Sequence, residues 1–441
     1  ADGIATTTLT NTKSGVSKVT ATVNGNSQTV DTTFVADSST ATITDGNLTV
    51  TTDNAKADGT ATNAVKAIVT DANGNPVQNA TVAFTSTNGA TITTASATTD
   101  ASGVATTTLT NTKSGVSKVT ATVNGASQTV DTTFVADSST ATISSGNLTV
   151  TTDNAKANGS ATDVVKAIVT DAKGNPVKDM TVTFTATNGA TIVTESVTTD
   201  ADGISTTTLT NTKSGVSKVT ATVNGASQTV DTTFVADSST ATISDGNLTV
   251  TTDNAKANGT ATDAVKAIVT DANGNLVKDA TVAFTATNGA TITTASATTD
   301  ANGVATTTLT NTKAGTTSVT ATVNGNSKSV DTTFVADSST ATISDGNLTV
   351  TTDNAVANDS DTNAVKAIVT DANGNKVKDA TVTFTATNSA KITTASATTD
   401  ANGVATTTLT NTKSGIAAVT ATVNGTSKSV DTTFVADSST A

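Results

Sequence analysis

The chain has 441 residues, a net charge of −13 and no His, Cys, Trp, Tyr or Arg; its only Met is Met180 and its only Glu is Glu195. These absences exclude a Ser-His-Asp triad, a thiol nucleophile, a His- or Cys-ligated metal and a disulfide. The acidic balance without arginine argues against a nucleic-acid surface, which needs basic patches.

The segment "TTTLTNTK" begins at Thr6 and again at Thr106, Thr206, Thr306 and Thr406, so the chain repeats itself every 100 residues. Solenoid repeats run to about 20–50 residues, whereas this period matches a whole small domain. The expected layout is a C-terminal part-domain at 1–40 and four domains at 41–140, 141–240, 241–340 and 341–441. Ala1 aligns with Ala101, in mid-repeat, so the chain is expected to be a piece of a longer protein. The missing targeting signal then says nothing of location. No apolar run approaches the ~20 residues of a membrane helix, and the lysines are scattered. This segment is expected neither to insert in a membrane nor to bind an anionic one.

The period 41–140 holds 18 Leu, Ile, Val and Phe, just under the roughly 20% that accompanies disorder at high net charge. Its charge is modest, with four Lys and seven Asp giving −3, so the pattern decides. In chain order, "NLTVTTD" at Asn47–Asp53 puts Leu48 and Val50 on one side. "NAVKAIVTD" puts Val65, Ala67 and Val69 on one face and Lys66 and Ile68 on the other. "ATVAFTST" pairs Val82 with Phe84. "VATTTLT" groups Ala105, Thr107 and Leu109. "VSKVTATV" groups Val119, Ala121 and Val123. "QTVDTTFV" groups Val130, Thr132 and Phe134. Alternation over four to eight residues marks half-buried strands, and β-branched Thr suits their solvated face.

The breaks carry turn chemistry. Asn124-Gly125 between two alternating runs predicts a type I′ hairpin. "DANGNP" at Asp71–Pro76, Asn88-Gly89 and "DASG" at Asp100–Gly103 predict further turns. Helical periodicity is absent. Seven short strands per period predict an all-β fold of tandem immunoglobulin-like β-sandwich domains, arranged end to end as an extended rod. The nine Phe fall at residues 34, 84, 134 and so on to 434, and are expected to face inward from the two sheets. The link "ADSSTAT" at Ala136–Thr142 leaves almost no room for a flexible spacer. At about 3.3 Å per strand residue, four domains with their loops would run to about 160 Å. The part-domain is expected to hold the last three strands, from Ile4 to Val35, with Val19, Val23, Val30 and Phe34 short of cover.

No catalytic, cofactor-binding or metal-ligating residue is assigned, and no cofactor. "DANGN" at Asp71–Asn75 resembles the start of a calcium loop but lacks the further acids and the Glu such a loop needs, so it is read as a turn. "TDADG" at Thr199–Gly203 is an acid-rich turn whose second acid is not repeated. Asp137 at the link is the other calcium candidate, and calcium there is not expected to be required. Paired carboxylates for glycoside cleavage are not favoured, because every Asp lies in a turn or at an exposed strand end. The Thr ranks are too short for an ice-binding face, and the Ser-rich link leaves glycosylation open.

With strands and turns placed, the sequence resembles the bacterial immunoglobulin-like group 1 (Big-1) domain of intimin- and invasin-type inverse autotransporter adhesins. The resemblance rests on "DANGNPV" (Asp71–Val77), "TVAF" (Thr81–Phe84), "TDASGVATTTL" (Thr99–Leu109) and "GVSKVTATV" (Gly115–Val123), in order and in every copy. Pro76 and Pro176 give way to Leu276 and Lys376, and Gly89 to Ser389. The resemblance implies a parent with an outer-membrane β-barrel, a rod of these domains and an adhesive tip, on the surface of a Gram-negative cell. Neither barrel nor tip pattern is present here. The residues alone point the same way: near-identical modules without catalytic side chains add length, and copies are easily gained or lost. The expected role is a non-enzymatic stalk. The alternative is that the repeats themselves bind a host protein or glycan weakly, with avidity.

Overall fold

The computed structural model describes residues 2–438, so the expected domain limits at Ala1 and Ala441 lie outside the described residues. No α-helix occurs among the described residues, and no helix is long and apolar enough to cross a membrane. The residues fall into two compact units. The first runs to Phe234 without 156–158 and 212–214, which belong with the second, from Val235 onward.

The chain opens with a two-stranded ribbon, β1 (Gly15–Val23) and β2 (Asn26–Phe34). The first full period then supplies β3 (Leu48–Thr52), β4 (Ala55–Lys56), β5 (Thr62–Ile68), β6 (Thr81–Ser86), β7 (Thr91–Ile92), β8 (Ser96–Thr98), β9 (Val104–Thr110), β10 (Gly115–Val123) and β11 (Ala126–Val135). One sheet has the order β3-β5-β9-β7 and the other β4-β11-β10-β6-β8. All pairs are antiparallel except β4 with β11, which run parallel. The same two-sheet plan recurs in the periods at 141, 241 and 341.

The alternation in the sequence is the reason for the fold. Val65, Ala67 and Val69 are sealed between the sheets, with Val82, Leu109, Val119 and Ala121, while Lys66 and Ile68 sit on the other face of β5. β10 and β11 meet across Asn124 (φ 48°) and Gly125 (φ 81°), with Val123 opposite Ala126. Two residues in the left-handed region are what a type I′ turn requires. Thr132 and Thr107 are also buried, and their hydroxyls bond inside the domain.

Three expectations are corrected. The expected seven strands are nine in the first full period: the six quoted runs form β3, β5, β6, β9, β10 and β11, "TITTASAT" supplies the edge strands β7 and β8, and a fragment, β4, precedes β5. Both Phe are buried, but they come from one sheet. Phe84 is on β6 and Phe134 on β11, and β10 lies between those strands. The opposite sheet fills the core with Val, Ala and Leu instead. The ribbon before residue 41 has two strands rather than three: residues 4–10, the counterparts of β9, form none, because no copy of β5 is there to pair with. Val16, Val23 and Val30 are more than 60% exposed there, and Phe34 is half-buried.

Candidate functional site at the joints between periods

Among the described residues no three acidic side chains converge as a metal site would need. Several buried polar side chains, among them Asp137, Asp171 and Asn175, lie where one period meets the next. The link is not a free spacer. Ser138–Thr140 forms one turn of 3-10 helix, capped by Asp137, whose Oδ1 accepts the Ser139 N–H at 3.1 Å and the Ser139 hydroxyl at 2.7 Å.

Each side of this turn is fastened to a different period. Toward the preceding period, the Lys56 ammonium lies 2.7 Å from Asp137 Oδ1. Lys56 donation and the Ser139 bonds hold the Asp137 carboxyl below the usual range. Toward the following period, the Asp137 N–H donates to Asp171 Oδ2 at 3.1 Å, and the Ala172 N–H donates to the Thr140 hydroxyl at 3.1 Å. Asn224, at a hairpin tip of that period, donates to the Ser138 and Ala141 carbonyls at 2.9 and 3.2 Å.

The second strand of the joint runs through the loop at 171–175. Asp171 Oδ1 accepts the N–H of Lys173 and of Asn175, both at 2.9 Å, which folds the loop into a tight turn. Asn175 is 6% exposed and its amide is fully used. It donates to Asp171 Oδ2 at 2.9 Å and to the Thr112 carbonyl of the preceding period at 3.0 Å, and it accepts the Ser114 N–H at 2.8 Å. An amide suits this place because only an amide offers a donor and an acceptor side by side. In the second unit, Asn375 repeats the arrangement with the Thr312 carbonyl at 3.0 Å and the Ala314 N–H at 2.8 Å, and the Asp337 backbone N–H donates to Asp371 Oδ2 at 3.0 Å. Earlier in the chain, Asn75 holds the ribbon through the Thr12 carbonyl and the Ser14 N–H, both at 2.9 Å.

The calcium candidates are thus carboxylates surrounded by the protein's own donors. Asp71 accepts backbone N–H bonds from Asn73, Asn75 and Asp37, and the Asn75 side chain gives it two more. The Asn75 amide, with those N–H groups, brings its carboxyl down to about 2. In "TDADG", Asp200 Oδ1 accepts the N–H of Asp202 and of Ile204 at 2.9 Å, and Gly203 takes φ 72°. Sequence reasoning placed Asp71 in a turn and Asp137 at the link but missed the joint role of Asn75 and its copies. The signal was present: an Asp and an Asn four residues apart recur after every link.

A family model for the bacterial Ig-like domain (group 1) matches residues 45–135, 145–235, 245–335 and 345–435. The chain is 34% identical over 269 residues to the inverse autotransporter adhesin YeeJ of Escherichia coli (strain K12), a match covering 58% of this chain and 11% of that protein's length. Among solved structures, invasin, described as a bacterial integrin-binding protein, aligns at 24% identity and a TM-score of 0.44, covering 90% of this chain and 79% of its own. The Escherichia coli adhesin FdeC aligns at 23% identity and a TM-score of 0.47, covering 68% of this chain and 98% of its own.

Proposed function

The chain belongs to the bacterial Ig-like domain (group 1) family, and from that membership we propose that it is part of the stalk of a bacterial surface adhesin. Each period from residue 41 acts as one domain, and the residues before it are the end of another. The parent is held by an outer-membrane β-barrel on a Gram-negative cell, and a tip outside this chain meets the host receptor or glycan. The repeats have no catalytic role and hold no cofactor.

The observation that carries this reading is the fully bonded amide of Asn175, with its copy at Asn375. A spacer must join each unit to its neighbour in the same way, and here the same bonds recur at the same spacing. Direct bonding through a short link restricts each joint more than a flexible linker would.

Small-angle scattering tests the stalk. The expected maximum dimension is about 150 Å or more, from the rise of a strand, with little change when a chelator is added. A compact particle would overturn the reading. Repeats applied to host cells separate it from weak multivalent binding. Saturable binding that grows with copy number would favour the latter.

A further inference from the structure

At one buried position the periods differ between an amide and a carboxyl. Residues 63 and 363 are Asn, whereas residues 163 and 263 are Asp, and all four are fully buried. In the first full period the Asn63 amide donates to the Thr133 carbonyl at 2.9 Å, and its Oδ1 accepts the Ala55 N–H at 2.9 Å. Asn363 makes the same bonds with Thr433 and Ala355. In both periods the Asn nine residues back, Asn54 or Asn354, also donates its N–H to that threonine carbonyl at 3.0 Å. A short parallel strand then lies along the final strand, β4 on β11 and Ala355–Val356 on Phe434–Val435.

The Asp periods differ. Asp263 Oδ1 still accepts the Ala255 N–H at 2.9 Å, but a carboxyl has no N–H to offer the Thr333 carbonyl. Its Oδ2 lies 2.8 Å from the Thr332 hydroxyl, which is also 2.9 Å from Asp253 Oδ1. The Asn254 N–H turns to Asp253 at 2.8 Å. The parallel strand shrinks to a single bridge, Lys256 with Val335. Thr232 is placed likewise, 2.9 Å from Asp153 and 2.8 Å from Asp163.

One hydroxyl carries one proton and cannot donate to two carboxylates. One of the flanking oxygens must carry a proton itself. Asp253 Oδ1 accepts N–H bonds from Thr333 at 2.7 Å and from Asn254, and these favour its ionised form. Asp263 is buried, and burial pushes its carboxyl up, with the Asp253 charge adding to the effect. The proton therefore sits on Asp263, which donates to Thr332, which donates to Asp253. The other charges nearby do not answer Asp263. Lys256 is paired with Asp337 at 2.9 Å, Lys266 lies on the alternate face of its strand, Asp331 is exposed, and Leu309 stands opposite Asp263 in the sheet.

We propose that Asp163 and Asp263 are neutral acid latches at the root of the final strand, so that their two periods grip that strand more firmly in acid than at neutral pH, while the two Asn periods do not. The folded state holds this proton more tightly than an unfolded Asp, whose pKa is about 3.9. The stabilisation is fully present below that value and is lost as pH rises through the folded one. Between those two values each pH unit weakens the latch by up to about tenfold. The final strand, by which the chain leaves, and the segment beside it run parallel, and that segment directly follows the strand by which the chain enters. Tension along the chain therefore loads their bonds in shear. The inference holds whether or not the chain is a spacer.

Pulling single full-length chains at about pH 4, near the ~3.9 of an unfolded Asp, and at about pH 8 tests it. At the higher pH the four full periods should yield as two weak and two strong events, and at the lower pH the split should close. The D163N/D263N double variant, which installs the residue the sister periods already use, should show no split at either pH. Asn63→Asp should give three weak events and one strong at the higher pH. Wild-type forces indifferent to pH, or a split that survives in the double variant, would overturn the proposal. Carboxyl titration of Asp163 and Asp263 by NMR in the full chain gives a second readout. A midpoint at or below that of an ordinary Asp would also overturn it.

Discussion

Asn175 lies 61 residues beyond Ser114 in the chain, and its side-chain oxygen accepts the Ser114 N–H at 2.8 Å. That bond and its partner to Thr112 cross from one period to the next, so Asn175→Ala should loosen the joint and leave the periods intact. We expect a loss of about 1–3 kcal/mol in the coupling of the two periods. Faster amide exchange at Ser114 in residues 41–240 would report it. Unchanged exchange would show that the amide does not hold the joint.

Phe184 is 1% exposed, at the heart of its period. Phe184→Ala should cost about 3–5 kcal/mol in denaturant unfolding of residues 141–240. Domains of this size are stable by only ~5–15 kcal/mol, so the variant should be close to unfolding. A loss below about 1 kcal/mol would mean that the core closes over the missing ring.

Two glycines of the same period should answer differently to alanine. Gly203 has φ 72°, and a Cβ there would stand 2.4 Å from the Val169 carbonyl oxygen. Gly225 has φ 78° with nothing within 4 Å. Gly225→Ala should cost about 1 kcal/mol for its backbone alone, and Gly203→Ala about 1–3 kcal/mol more for the clash. Equal melting shifts would refute the distinction.

Acid should release the first joint late. The Asn75 amide and neighbouring N–H groups bring the Asp71 carboxyl to about 2, below the ~3.9 of an unfolded Asp. Its contribution is present above that value and fades as pH falls toward the folded one. The Asp37 N–H, which donates to Asp71 at 3.1 Å, should stay protected from exchange at about pH 3. An Asp71 titration midpoint near 4 would contradict this.

Much of the fold was legible because alternation leaves little choice. Val65, Lys66 and Ala67 can be satisfied only by a strand with one covered face, and Asn124-Gly125 fixes how β10 returns as β11. The segments that escaped are those with no alternation to read. Thr91–Ile92 and Ser96–Thr98 are too short for a pattern, and they become strands only because β9 and β6 offer free edges. The sheet that carries each Phe is a matter of crossover, which spacing along the chain does not encode. At the joint, Asp71 announced itself as a turn residue. Asn75 did not, since its partners lie 61 and 63 residues earlier. The split between Asn63 and Asp163 was visible as letters, but its meaning needed Thr132 and Thr232 in place.

The one turn of 3-10 helix at Ser138–Thr140 has a bearing on digestion. A protease takes its substrate as an extended strand, and exposed loop tips are where it cuts first. The link is short and polar, which would make it a natural target. Yet the Ser138 carbonyl is held by Asn224, the Asp137 N–H by Asp171 and the Thr140 hydroxyl by Ala172. To be cleaved, the link would first have to leave both of its neighbours. A chain joined in this way should lose individual turns at its surface before it loses length.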